Sequence, residues 1–139
     1  MIVLDNNVLS EALRPVPEPS VLDWLADQPR ASLFTTTVTR GEILYGIRLL
    51  SDGKRRRGLW DVAKKVFDED FADQVLSFDS DAADMYAEIA ASRRTVGKPI
   101  SQFDAMIVAM ARSRGASLAT RNVKDFEDCG VHVINPWTV

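Results

Sequence analysis

The sequence predicts a three-layer α/β/α sandwich on a mostly parallel sheet of four or five short strands, in one domain spanning residues 1–139. Three observations carry that expectation. Short apolar runs alternate with longer segments of helical periodicity. One helical segment, 105–111, is apolar nearly all round, as a helix lying in the interior or between layers must be. The runs end in Asp, Asn, Ser, Thr, Pro or Gly, whose side chains or fixed dihedrals favour turns and helix caps.

Taken in order, Ile2-Val-Leu4 reads as a buried strand, stopped by Asp5-Asn6-Asn7. A short helix over 8–13 follows and is halted by Arg14-Pro-Val-Pro-Glu-Pro19. Ser20 is expected to cap a helix to about Gln28, with Val21, Leu22, Trp24 and Leu25 as its apolar face. Residues 31–36 form the second strand. Thr39 and Glu42 match a capping box, opening a helix with Ile43, Leu44, Ile47 and Leu50 at helical spacing. A polar turn at 52–58 holds four consecutive cations, and a helix to about Phe71 follows. Residues 75–78 are a third strand, and Asp79-Ser80-Asp81 caps a helix through about Thr95. Ser101 opens the apolar helix, which Gly115 ends. Strands over 117–120 and 131–134 complete the pattern.

Composition narrows the chemistry. No apolar run approaches the ~18 residues that a membrane span requires. The N-terminus has no basic segment before a hydrophobic one, so no signal peptide is expected. A single cysteine, Cys129, fits a reducing cytoplasm. With one histidine, catalysis of the Ser–His or Cys–His kind has only His132 to use, and that residue sits in an alternating Val-His-Val run. Cys129 and His132 make half of a zinc site that no other Cys or His completes. The glycine-rich nucleotide cradles are absent. The formal net charge of −3 counts against a module that holds nucleic acid by bulk electrostatics. It does not count against an enzyme whose carboxylates collect cations, because bound cations reverse the local sign.

Carboxylates recur where open α/β sheets place their sites, at strand carboxyl ends and helix N-terminal turns. Asp5 ends the first strand, Glu42 and Asp104 sit near helix starts, and the loop 122–125 follows a strand and ends in Asp125. Each has a structural reading as well: Asp5 as a helix cap, Glu42 and Asp104 as capping-box partners of Thr39 and Ser101. Asp104 is the only charge between Phe103 and Ala111, and a carboxylate buried without a partner is costly. Convergent carboxylates repel one another, and their stable use is to bind a hard divalent cation, Mg²⁺ or Mn²⁺. The reaction class that follows is metal-assisted phosphodiester hydrolysis.

The motifs carry a family resemblance. Met-Ile-Val-Leu-Asp-Asn-Asn-Val-Leu-Ser-Glu at 1–11 resembles the opening of PIN-domain ribonucleases, closest to the VapC toxins of bacterial toxin–antitoxin pairs in their FitB-like subgroup. Thr-Arg-Gly-Glu-Ile-Leu-Tyr-Gly at 39–46, Phe-Asp-Ala-Met-Ile-Val-Ala at 103–109 and Leu-Ala-Thr-Arg-Asn-Val-Lys-Asp-Phe at 118–126 resemble later motifs, and Val-Ile-Asn-Pro-Trp at 133–137 the tail. The resemblance implies that Asp5, Glu42 and Asp104 ligate metal, with Asn7 and Thr120 supporting by hydrogen bonds. It implies an RNA substrate, a homodimer, and inhibition by a VapB-type antitoxin that binds operator DNA on the pair's behalf. Two positions depart from the pattern. Asn6 stands where Thr is usual and is expected to bond the loop backbone. Asn122 fills the fourth acidic position without a charge, which Asp125 would have to supply.

Two other functions fit parts of this reading. A phosphatase with Asp5 as nucleophile would want a second Asp two residues on, where Asn7 stands. An inert PIN-like module would keep the antitoxin contacts and lose the chemistry. Lys54, Arg55, Arg56, Arg57, Arg14, Arg93, Arg94 and Arg121 are the candidate contacts to an RNA backbone.

Overall fold

The computed structural model describes residues 1–139. Five strands, β1 (Ile2–Leu4), β2 (Leu33–Thr36), β3 (Val75–Leu76), β4 (Ser117–Ala119) and β5 (Val133–Ile134), form one sheet in the order β3-β2-β1-β4-β5. Every pairing is parallel. Six helices cover it: α1 (Asn6–Ala12), α2 (Pro19–Asp27), α3 (Thr37–Arg48), α4 (Lys54–Lys65), α5 (Ser80–Thr95) and α6 (Gln102–Ser113). The expected three-layer α/β/α class is therefore the one observed, with five strands.

The side-chain period of two divides the core between the two faces. Val3 and Leu118 enter one cluster with Ile89 of α5 and the run Ile107, Val108, Met110 of α6. Their neighbours Leu4 and Ala119 enter the other, with Val8, Val21, Ile43 and Ile47 from the first three helices and Phe67 beyond α4. The all-round apolar α6 is buried from Ala105 through Ala111 with Met106 alone partly open, as its composition requires. Chain order runs outward from β1 to β3, then returns to the far side of β1 for β4. The crevice between the carboxyl ends of β1 and β4 is thus a topological switch point, where open parallel sheets bind ligands.

Several boundaries differ from expectation for local reasons. α1 begins at Asn6 because Asp5 caps it, its carboxylate accepting from the Asn6 amide at 2.8 Å. α2 begins at Pro19, a residue suited to the first helical position, and the Ser20 hydroxyl is buried without a partner and caps nothing. α3 starts at Thr37 because Thr36, at the end of β2, accepts from the Thr39 amide at 3.0 Å. Thr39 is consequently inside the helix, and the Thr39–Glu42 capping box does not form. The cationic run opens α4, which passes into a π-helical turn at Val66–Asp70.

Two cations expected on the RNA side are committed elsewhere. Arg14 pairs with the buried Glu11, which also accepts from the Glu18 amide and so holds the proline-rich connection. Arg93 is buried and donates to the carbonyls of Lys98, Asp125 and Glu127 at 2.7, 2.8 and 3.2 Å, with the Cys129 sulfur at 3.4 Å. It ties the end of α5 to the loop after β4, so it cannot reach RNA. Arg56 and Arg57 pair with Asp52, while Lys54, Arg55, Arg94 and Arg121 stay exposed without a carboxylate partner.

Truncating the buried Arg93 side chain removes the donor shared by three carbonyls and leaves a void beneath the loop. Arg93→Ala is expected to cost about 2–3 kcal/mol in chemical denaturation, and Arg93→Lys recovers only part because an ammonium cannot reproduce the fork. An unchanged midpoint in both variants would show that the clamp carries no stability.

Candidate metal and active site

The switch-point crevice opens into a cavity of about 380 Å³ lined by Asp5, Asn6, Asn7, Ser10, Glu42, Asp104 and Asn122, with no apolar residue among them. Its residues come from four places in the chain. Asp5 follows β1, a central strand, and is 4% exposed. Glu42 stands in the second turn of α3, set there by the helix start at Thr37. Asp104 lies in the first turn of α6, where Ser101 caps the helix by accepting from the Asp104 amide at 3.2 Å. Half of the expected Ser101–Asp104 capping box is thus made, and the Asp104 carboxylate still lines the cavity. Asn122 follows β4.

The hydroxyl of Thr120 is the junction. It donates to Asp5 Oδ2 at 2.8 Å, and accepts from Asn7 Nδ2 at 3.2 Å and from the Asn122 amide at 3.1 Å. Asn7 Oδ1 in turn accepts from the Arg121 amide at 3.3 Å. One buried side chain therefore links the ends of β1 and β4 and the starts of α1 and the loop beyond. Both oxygens of Asp5 are engaged, one by Thr120 and the other by the Asn6 amide. That orients the carboxylate and leaves it poorly disposed to attack a phosphorus as a free nucleophile.

Asn6 was expected to serve the loop backbone. Its side chain instead faces the cavity beside Glu42, accepting from Ser10 Oγ at 2.7 Å and favouring the charged form of the Glu42 carboxyl. A threonine hydroxyl is shorter than this amide and offers fewer bonds. Asp125 does not line the cavity. It is exposed on the 3₁₀ turn Val123–Phe126, near enough for its charge to act on Asp5 and Asp104. His132 precedes β5, at the opposite, amino edge of the sheet. Asn6 and Arg93 are the residues whose parts the sequence did not disclose. Asn6 shares the cavity with Glu42 of another helix, and three of Arg93's four partners lie more than thirty positions away.

Burial is the main influence raising the carboxyl of Asp5 above the ordinary range, opposed by the bonds from Thr120 and Asn6 and reinforced by Asp104 and Asp125. Glu42 is raised first by burial, then by the charge of Asp5. Asp104 is raised first by burial, with Asp125 adding to it. Three groups thus resist ionising together in one polar cavity. The three carboxylates line the one cavity without being drawn together into a formed three-ligand metal site. The donor set, carboxylate and amide oxygens without sulfur or imidazole, fits a hard divalent cation that keeps several waters.

A carboxyl raised in the folded state holds its proton more tightly there than when unfolded. Its contribution is full below the unfolded value and is lost as pH rises through the folded one. In chelator, Asp104→Asn should therefore raise the melting temperature at pH 7.5 by about 2–4 °C, with the gain shrinking towards pH 4.5. A lower melting temperature at pH 7.5 would show that the three charges do not strain the fold.

Comparison with known proteins identifies the family and the fold. The family model described as PIN domain matches residues 2–130. Plasmid stability protein StbB of Pseudomonas syringae pv. tomato is 42% identical over 137 residues, covering 99% of each chain. VapC ribonuclease Y4jK of Sinorhizobium fredii is 37% identical over 137 residues, covering 99% of this chain and 98% of that one. Among solved structures, FitAB bound to an IR36 DNA fragment superposes with a TM-score of 0.94 at 35% identity, over 100% of this chain and 97% of that one. The chain belongs to the PIN-domain family, in its VapC and FitB-like branch.

Proposed function

We propose that this protein is a divalent-metal-dependent endoribonuclease, the toxin of a toxin–antitoxin pair. The observation that carries the reading is the all-polar cavity in which Asp5, Glu42 and Asp104 meet at the switch point of a parallel sheet. Its relationship to a VapC ribonuclease supplies the substrate class, RNA.

Asp5, Glu42 and Asp104 are the residues that would hold the cation, Mg²⁺ with Mn²⁺ able to substitute. When bound, such an ion supplies a water of lowered pKa and neutralises charge on the phosphoryl oxygens. The chain's own part is to fix the ligands. Thr120 aims Asp5 through its 2.8 Å bond, and Asn7 keeps that hydroxyl in place through a 3.2 Å bond. Asn6 favours the ionised form of Glu42, and the Ser101 cap sets the turn that carries Asp104. Asn122 presents an uncharged amide at the cavity rim, and Asp125 adds negative potential from outside. With no histidine nearby, general-base work falls to the carboxylates and solvent.

The FitAB complex on DNA supports the partners in this reading. They are a VapB-type antitoxin, a homodimer of this chain as the core of a toxin–antitoxin hetero-oligomer, and operator DNA reached only through the antitoxin. No helix is long and apolar enough to cross a membrane. An RNA substrate puts the proposed reaction in the cytoplasm.

Purified protein should cut RNA with Mg²⁺ or Mn²⁺ and stop in EDTA, while Asp104→Asn should cut at least 100-fold more slowly with its fold intact by circular dichroism. Metal-independent cutting, or full activity in Asp104→Asn, contradicts the reading. A quieter variant tests the supporting bonds. Thr120→Val keeps the volume and should weaken Mn²⁺ binding and cleavage by about 10–100-fold, and Thr120→Ser should restore most of both. Equal affinity in Thr120→Val would remove the hydroxyl from the account.

A further inference from the structure

Beside the acidic cavity lies a second cleft of about 550 Å³, lined by Val38, Gly41, Tyr45 and Phe103 together with Asn6 and Glu42. Asn6 and Glu42 line both spaces, so the two adjoin. The aromatic residues belong to the same turns as the carboxylates. Tyr45 stands three residues after Glu42, on the same face of α3, and Phe103 immediately precedes Asp104 in the first turn of α6. Both rings are largely open to water, Tyr45 at 66% and Phe103 at 52% exposure. Gly41, between them in the lining, has no atom within 4 Å of where a Cβ would stand. The helix forgoes roughly 1 kcal/mol of propensity there, and the space stays open.

We propose that this cleft is a nucleobase subsite, in which a base next to the scissile phosphate of single-stranded RNA stacks on Tyr45 and Phe103. The proposal rests on the ribonuclease reading above and adds which part of the substrate is gripped and by what. A phosphodiester held at the carboxylates leaves its flanking base within reach of the adjoining cleft, and no other exposed aromatic pair adjoins that cavity. A base unstacked from single-stranded RNA seeks an aromatic face, and stacking of this kind tolerates any base. The neighbouring wall is acidic, which disfavours a second phosphate there and favours the flat, uncharged part of a nucleotide. Both aromatic side chains are too exposed to be needed by the core.

The test uses fluorescence anisotropy with the full chain, Ca²⁺ replacing Mg²⁺ to slow turnover, and two single-stranded probes: a mixed-sequence RNA and an abasic oligomer of the same length. The parent should prefer the RNA. Tyr45→Ala and Phe103→Ala should each weaken RNA binding about tenfold and leave abasic binding unchanged, while Tyr45→Phe binds like the parent. Gly41→Leu fills the cleft from a helix-favouring residue, and should lose RNA affinity without losing melting temperature. Unchanged RNA affinity in both alanine variants overturns the subsite. So does a shift in sedimentation mass without a change in RNA affinity, which would make the cleft a contact between copies of this chain. If the parent neither binds nor cuts RNA with any metal, the ribonuclease reading fails and takes the subsite with it.

Discussion

The bond from Thr120 Oγ1 to Asp5 Oδ2, 2.8 Å long and buried, joins the scaffold to the chemistry. It spans two adjacent parallel strands whose register is fixed independently, Leu4 opposite Ala119, and by the Asp5 amide donating to the Ala119 carbonyl at 2.9 Å. Because β1 and β4 are pinned on both faces by apolar side chains, a one-residue slip would turn Leu4 and Ala119 to the wrong core. The hydroxyl and the carboxylate therefore meet by consequence of the sheet. Asn7 and Asn122 then close on the same hydroxyl, so the start of α1 and the loop after β4 inherit their positions from it.

This arrangement sets stability against function. Asp5, Glu42 and Asp104 are raised by burial and by neighbouring carboxylates, Asp125 among them, and uncharged residues at those positions would suit the bare fold better. The contrast is with Asp68, an exposed carboxylate held below the ordinary range by Arg40 and Lys64. The chain has cations in abundance and pairs them with surface acids such as Asp52, Asp68, Asp70 and Asp79. None is placed against the central three. In the proposed function an external cation takes that role, and the cost of gathering the carboxylates is returned on binding.

Much of the fold was legible because its causes are local. Apolar runs ending in turn formers mark β1 and β4, and the lone charge at the head of an apolar helix marks Asp104. Glu42 was harder, because Thr39-x-x-Glu42 imitates a capping box. The actual cap is Thr36, three residues earlier, and only the end of β2 decides between them. Thr120 has no local signature at all, since its partners are Asp5 and Asn7, more than a hundred positions away. It was reached through the family resemblance alone. Arg93 looked like a surface cation because its acceptors are carbonyls contributed mainly by a distant loop, and carbonyls leave no trace in residue identity. Tyr45 and Phe103 gave no signal, since an exposed aromatic beside a carboxylate acquires meaning only when two helices bring the pairs together.

The central claim is that carboxylates from β1, α3 and α6 make one cation site. Anomalous scattering from crystals soaked in Mn²⁺ tests it most directly. The account predicts a single strong peak in the polar cavity, within ligating distance of Asp5 and Asp104 with Glu42 turned towards it. A peak confined to the exposed Asp68-Glu69-Asp70 run, with none in the cavity at saturating Mn²⁺, would contradict it.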